Sequence, residues 1–269
     1  MNDSTAIVES REDAAVAVNA DAPVNYDHLS QGYNAYRRPD ARIAAMIREA
    51  LGEVRTVLNI GAGTGAYEPL DIDVVAVDAS HGMLSRRINR DHVVQARAEW
   101  LPFADNTFDA ALGVLTLHHW SDWQAGLREA QRVARRKVVL LTWSAASPRF
   151  WLTDYIPEVG TIDQHLFPEP GEIQSVLGAI DVREVRIPHD CTDGFQCAYW
   201  ARPERYLEPG VRAAISTFAR IPEPTAGLQR LADDITSGAW RQRYGHLLTE
   251  TTQDFGYRLV TAEISHAPT

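Results

Sequence analysis

The chain has 269 residues, 45% of them apolar, with 36 acidic against 26 basic side chains and a net charge of −10. That size and apolar share support one large domain with a real core, and the acidic balance, with no lysine/arginine block, speaks against a nucleic-acid partner. No apolar run has the length of a membrane span and no basic-then-apolar leader is present, so with only two cysteines, Cys191 and Cys197, a reducing cytoplasm is expected.

Residues 1–24 are rich in alanine, aspartate, glutamate and serine, the composition of a disordered segment, and the folded domain is expected over residues 25–269. Ile43, Met46, Ile47 and Leu51 fall at helical spacing and predict an amphipathic helix over residues 42–51. A strand over 56–60 leads into Gly61-Ala62-Gly63-Thr64-Gly65-Ala66, and a second strand over 74–77 ends at Asp78, the plan of a strand–turn–helix–strand unit. Ser80 is placed to cap a helix through Met83 and Leu84 to about residue 88. A short third strand covers 93–96, and a turn-rich connection follows over 101–106. An apolar run over 108–117 reads as a fourth strand ending at His118-His119-Trp120.

Ser121 or Asp122 then caps a helix whose buried face is Trp123, Leu127, Ala130 and Val133. Residues 138–142 form a β-branched strand, 182–187 another, and 256–262 a last one. Strands alternating with helices predict an α/β, doubly wound, Rossmann-like sheet with helices on both faces. Residues 193–254 read as a helical insertion capping the sheet's ligand end.

The glycine motif fits two patterns. Gly61, Gly63 and Ala66 satisfy the dinucleotide fingerprint, while Gly61, Gly63 and Gly65 satisfy a G-x-G-x-G form suited to a ligand without phosphate. A plain tight turn is the bland alternative. Asp78, seventeen residues beyond Gly61, adds a carboxylate able to accept both hydroxyls of a ribose.

The downstream sequence resembles the class I S-adenosylmethionine-dependent methyltransferases, in a bacterial branch of the small-molecule type. The likeness is carried by residues 57–65 and 75–83, by Ala98-Glu99-Trp100-Leu101-Pro102-Phe103 with Asn106-Thr107-Phe108-Asp109, and by Leu117-His118-His119-Trp120. It runs strongly over residues 33–142, with further matches around 150–151, 188–195, 199–203 and 256–262. The resemblance implies a mostly parallel seven-stranded sheet with the last strand antiparallel, and S-adenosyl-L-methionine as cofactor.

By the same resemblance, Gly61, Ala62, Gly63 and Gly65 would lie against the methionine part of the cofactor. Asp78 would take the ribose hydroxyls, with Ala79 beside it, and Met83 would pack on the adenine. Ala98 and Glu99 would meet the adenine edge, and Leu115 and Thr116 would line the sulfonium. Tyr33 and Tyr36-Arg37-Arg38-Pro39 are similar to a segment that closes over the cofactor, with Arg37 chosen over Arg38 to pair with its carboxylate. Two positions depart from the family. Asn59 stands where an acid is usual, keeping an acceptor but no charge, and Arg97 replaces a frequent adenine-binding aspartate.

Methyl transfer from a sulfonium needs alignment and a dry pocket more than a nucleophile, and it needs no metal. A base helps when the acceptor must lose a proton, and His118, then His119, are the candidates at the end of the fourth strand. Either ring would equally serve as a helix cap. Aromatic residues around the strand ends and in the insertion fit a pocket for an apolar or aromatic small molecule. Trp143 is expected to face that acceptor, with Trp151, His189 and Trp200 as further contacts. The expected function is methylation of a small organic acceptor at O, N or C. The alternatives are non-methylating chemistry such as cyclisation on the same fold, an NAD-dependent oxidoreductase, and a non-enzymatic binding protein. The oxidoreductase leaves the 101–109 turn and the His118-His119 segment without a reason.

Overall fold

The structure is a computed structural model and describes residues 33–222 and 224–264. The disordered segment expected over 1–24 lies outside the described residues. The main sheet is built from β1 (Thr56–Ile60), β2 (Asp73–Asp78), β3 (Val93–Gln95), β4 (Phe108–Val114), β5 (Ala134–Trp143), β6 (Ile180–Glu184) and β7 (Tyr257–Glu263). Its strand order is β3-β2-β1-β4-β5-β7-β6. The first five strands and β6 run parallel, and β7 slots antiparallel between β5 and β6. Four consecutive residues of β1 are buried, the pattern of a strand covered on both faces.

The pleat sorts alternate residues of β5 to opposite faces. Val139 and Leu141 join one core with Ile43, Ile47 and Leu51 of α2 (Ala41–Leu51). Val138 and Leu140 join the other with Leu127, Ala130 and Val133 of α4 (Trp123–Val133) and with Ile173 and Leu177 of α6 (Pro170–Leu177). The remaining helices are α1 (Tyr33–Tyr36), α3 (His81–Ser85), α5 (Glu158–Leu166), α7 (Pro209–Ala213), α8 (Thr225–Ser237) and α9 (Ala239–Tyr244). Among the described residues no helix is long and apolar enough to cross a membrane.

Four expectations change. Residues 61–72 form turns and no helix. Gly61, Gly63, Gly65 and even Tyr67 hold positive φ, and Pro69 follows, so a right-handed helix cannot propagate. The fourth strand ends at Val114, because Leu115 turns to φ 49° and Leu117–His119 close a 3₁₀ turn. Helix α3 stops at Ser85, and Arg87, just beyond it, turns inward to Glu68. The strand expected over 182–187 divides: β6 ends at Glu184, and Ile187–Pro188 pairs separately with Thr252–Gln253.

The cap also begins earlier than residue 193. Leu152, Val159 and Ile162 lie in the same buried cluster as Tyr206, Val211, Phe218, Leu231 and Trp240. That cluster includes Val57 and Leu112 of the sheet, so the cap is rooted in the core and is not a detached layer.

Candidate active site

The carboxyl ends of β1, β2 and β4 and the underside of the cap enclose a cavity of about 680 Å³. Ligands of open α/β sheets bind at this edge. Gly61, the first residue past β1, has φ 67°, and a Cβ there would stand 1.8 Å from Thr116 Oγ1. The glycine turn is therefore pressed against the turn that follows β4. Gly63 N donates to Asp78 Oδ2 (2.8 Å), and Ser80 N donates to Asp78 Oδ1 (2.8 Å). One carboxylate thus fixes the glycine turn and the entrance to α3. Ser80 Oγ caps that helix by accepting from Met83 N (3.1 Å) and delivers the buried Met83 side chain to the cavity wall.

Asn59, at 1% exposure, is held by its amide: Nδ2 donates to Glu68 Oε1 (2.9 Å). Glu68 Oε2 in turn takes Arg87 Nη2 (2.6 Å), an ion pair shielded from solvent at both ends. Asn59 Oδ1 is left buried with no donor. A buried acceptor without a partner is unfavourable, and this one borders the cavity beside the glycine turn.

The amino-terminal segment is latched over this region. Arg37 Nε donates to Asp193 Oδ1 (2.7 Å) and its Nη1 to the Tyr33 hydroxyl (3.1 Å). Asp193 is fully buried and also accepts from the Tyr67 hydroxyl (3.0 Å). Asp40 accepts from Arg42 and from Thr192 N, and Arg42 reaches on to Asp190. The Arg42 bonds hold the Asp40 carboxyl down at about 2. Asp190 and Asp193 therefore serve as anchors for residues 37–42.

Arg97, Ala98 and Glu99 line the cavity just past β3, whose Gln95 pairs with Asp78. Glu99 Oε1 also accepts from Ser121 Oγ and Asp122 N, tying that wall to the start of α4. The 101–109 turn has a structural cause. Arg132 on α4 donates to the carbonyls of Leu101 and Phe103 and to Asp105, and Asp109 accepts from Arg55 N and Thr56 N.

Leu115, Thr116, His118, His119 and Trp143 also line the cavity. The His118 ring stacks on Phe167 (4.1 Å) and lies against His119 (3.6 Å). Burial, the second imidazole and the cations Arg220 and Arg37 push the His118 pKa well below its ordinary value; burial and the same two arginines bring His119 to about 3. Both imidazoles are thereby poor proton acceptors near neutrality, which weighs against the base role expected of them. Trp143 is held by its indole N–H on Phe255 O (2.6 Å).

The cap contributes a group the sequence reading missed. Asp163 on α5 is 4% exposed, lines the cavity, and accepts from Thr217 Oγ1 (2.8 Å) and Gln196 Nε2. Burial drives its pKa up to about 7 against the two hydrogen bonds and Arg220, which lower it. The signal was an acid on the apolar stripe of a helix, between Val159, Ile162 and Leu166. Glu68 and Arg87 were missed because only folding brings them beneath the glycine turn.

Of the residues expected at the site, Tyr33, Arg37, Asn59, Gly61, Ala62, Gly63, Asp78, Ala79, Met83, Ala98, Glu99, Leu115, Thr116, His118, His119 and Trp143 come together on the cavity wall. Four do not. Gly65 faces Arg87 and Glu68 instead. Trp151 and Trp200 are buried in the core, joined by the Trp151 indole N–H on Trp200 O (2.9 Å). Trp200 Nε1 is itself satisfied by the carbonyls of Ile187 and Pro188. His189 is exposed, its Nδ1 3.2 Å from Thr251 O.

Residues 58–142 match the family model of a methyltransferase domain. The whole fold is similar to a crystal structure from Anabaena variabilis described as a methyltransferase from an antibiotic biosynthesis pathway. The identity is 31%, the match covers 84% of this chain and 98% of that one, and the TM-score is 0.80. The demethylmenaquinone methyltransferase of Renibacterium salmoninarum is 32% identical over 161 residues, 55% of this chain and 65% of that protein. A chloroplastic 2-methyl-6-phytyl-1,4-hydroquinone methyltransferase of Oryza sativa subsp. japonica is 29% identical over 143 residues, 49% and 42% of the two. The chain thus spans about half the length of these curated relatives.

Proposed function

The chain belongs to the class I S-adenosylmethionine-dependent methyltransferases, and on that premise we propose that it methylates a small organic acceptor held beneath its helical cap. The observation that carries the reading is the donor deficit at Asn59 Oδ1, which the ammonium of the cofactor's methionine part would fill. The glycine turn supports the same choice over a dinucleotide. Ala62 N is bonded to Val77 O, Gly63 N to Asp78 and Gly65 N to Ala62 O, and no helix follows the turn. A pyrophosphate is held by free N–H groups at a helix start; three N–H groups of this turn are already bonded and no helix follows it.

When bound, S-adenosylmethionine supplies a methyl group on a positively charged sulfur, already activated for displacement. In this reading Gly61, Ala62, Gly63 and Asn59 hold its amino-acid end, and Tyr33 and Arg37 cover it. Asp78 takes the ribose hydroxyls beside Ala79, while Met83, Ala98 and Glu99 frame the adenine. Leu115 and Thr116 border the junction with the acceptor. Trp143, Phe167, Phe195 and Tyr257 line the acceptor end and favour an apolar or aromatic molecule. The quinone and hydroquinone names of the curated relatives point the same way. The two cysteines are buried and unbridged, which fits a bacterial cytoplasm as the setting.

Calorimetry with S-adenosylmethionine, S-adenosylhomocysteine and NADH tests the proposal. Binding of the first two without the third is expected. Binding of NADH alone would overturn it.

A further inference from the structure

Resting on that reading, we propose that Asp163 accepts the proton of an acceptor hydroxyl, so that the acceptor is a phenol, hydroquinone or enol. Asp163 is a carboxyl almost wholly removed from solvent on the wall of the catalytic cavity. Its hydrogen bonds come from neutral groups, the Thr217 hydroxyl and the Gln196 amide. An asparagine could keep the Thr217 bond on its oxygen and, with the Gln196 amide turned over, donate its Nδ2 to Gln196 Oε1, without the penalty of an ionisable group in the core. Val159 and Ile162, buried on the same helix, show the kind of side chain this face otherwise carries. A titratable group kept there against its desolvation, and opening on a cavity, has the marks of chemistry.

The wall around it selects the acceptor. Gln196 Oε1 and His118 Nδ1 are both buried without a partner, so the site lacks hydrogen-bonding groups that a polar acceptor end would bring. Arg220 acts on Asp163, His118 and His119 alike. Its positive field favours an acceptor that turns anionic and disfavours an ammonium. Phe167 and Trp143 meet edge to face at 5.6 Å on the same wall and suit a flat ring. In the step itself the acceptor O–H bond breaks and its proton passes to a carboxylate oxygen of Asp163. The electron pair stays on the acceptor oxygen, which would form its new bond to the methyl carbon as the methyl–sulfur bond of bound S-adenosylmethionine breaks; that bond's electron pair would pass to sulfur, and the neutral thioether S-adenosylhomocysteine would leave.

The titratable groups around Asp163 are few. Arg220 comes from the Ser216–Arg220 turn, Cys197 from the loop that carries Gln196, and Tyr257 from β7. Burial pushes the Cys197 thiol and the Tyr257 phenol well up, so both stay neutral. His118 and His119 are neutral as well. Asp163 is left as the group that titrates near neutral pH.

The test is tritiated methyl transfer from S-adenosylmethionine to a panel of phenols, naphthols and hydroquinones, each paired with the amine of the same skeleton. Label is expected on hydroxyl-bearing members. Asp163→Asn should lower kcat by about 100-fold or more, the usual share of a general base, with cofactor Kd unchanged. The acid limb of kcat/KM near neutral pH should vanish in that variant and persist in His118→Ala. Thr217→Val, which removes one donor to the carboxylate, should move the limb to higher pH. Transfer to amines alone, transfer to no hydroxyl-bearing member, or a limb unaltered by Asp163→Asn would overturn the proposal. Failure of the wild-type protein to bind S-adenosylmethionine would instead sink the cofactor reading on which it rests.

Discussion

Alanine at position 61 would place a methyl carbon 1.8 Å from the Thr116 hydroxyl oxygen, on backbone already at φ 67°. Both penalties apply at once: left-handed strain of about 1–2 kcal/mol and a clash with a buried side chain that accepts from the Trp120 indole. Gly61→Ala should destabilise the fold by about 2–4 kcal/mol. Adding Thr116→Gly should restore only part of this, because the clash goes and the strain remains. Thermal melts of the single and double variants check it; full recovery would show that φ at 61 is unimportant. Asp78 is the second residue whose role reduces to a few atoms. Its oxygens hold Gly63 N and Ser80 N, and the proposed ribose contacts add charge-assisted bonds of about 1.5–3 kcal/mol each. Asp78→Ala should weaken S-adenosylmethionine binding by about 100-fold or more in calorimetry. Wild-type affinity in that variant would remove the ribose assignment.

Between β1 and β2 the chain supports its ligand turn with side chains where a helix was expected. Arg87 pairs with Glu68, and Glu68 orients Asn59 beneath the glycines. Arg87→Leu would strand the Glu68 charge in a site shielded from water, a loss of about 3–5 kcal/mol for a buried pair broken on one side. Arg87→Leu with Glu68→Met should be milder, since no charge is left behind. Urea unfolding of both variants tests this: an equal loss in single and double would mean that packing, not the charge, matters. This buttress was invisible in the sequence because its members are 19 residues apart with no periodic relation. Strand β1, the capping role of Ser80 and the Asp78 strand end were legible, since each depends on a local pattern of apolar run, cap and turn. The motif after Phe108 was legible as a resemblance but not as geometry, because positive φ at Leu115 ends the strand early. Trp151 and Trp200 were misplaced for a different reason. An aromatic residue near a strand end looks the same in sequence whether it faces a ligand or the core, and here the Trp151 indole donates to Trp200 O while the Trp200 indole donates to Ile187 O and Pro188 O, which commits both to the core.

At the scale of the whole molecule, the cofactor end and the acceptor end belong to one packed body, so a charge placed for chemistry in the cap burdens the stability of the entire fold. Asp163 is where that burden is measurable. Folding raises its pKa from 3.8 to about 7. Between those values the folded state holds the proton that the unfolded state has released, so stability falls as pH rises, and the loss is complete once pH passes the folded value. Asp40 runs the other way, with its pKa lowered from 3.8 to about 2, and its contribution is fully present above about pH 4. His118 and His119, neutral when folded, make stability fall as pH drops below their unfolded value of 6.5, equally in wild type and in a variant at 163. A comparison of wild type with Asp163→Asn between pH 5 and pH 8 therefore isolates one carboxyl. At 1.36 kcal/mol per pKa unit, the variant should gain about 2–3 kcal/mol on the wild type across that interval, read from urea unfolding without cofactor. A difference that stays constant with pH would mean that Asp163 ionises as an ordinary surface acid, and the cap would then hold no proton-accepting group poised near neutrality.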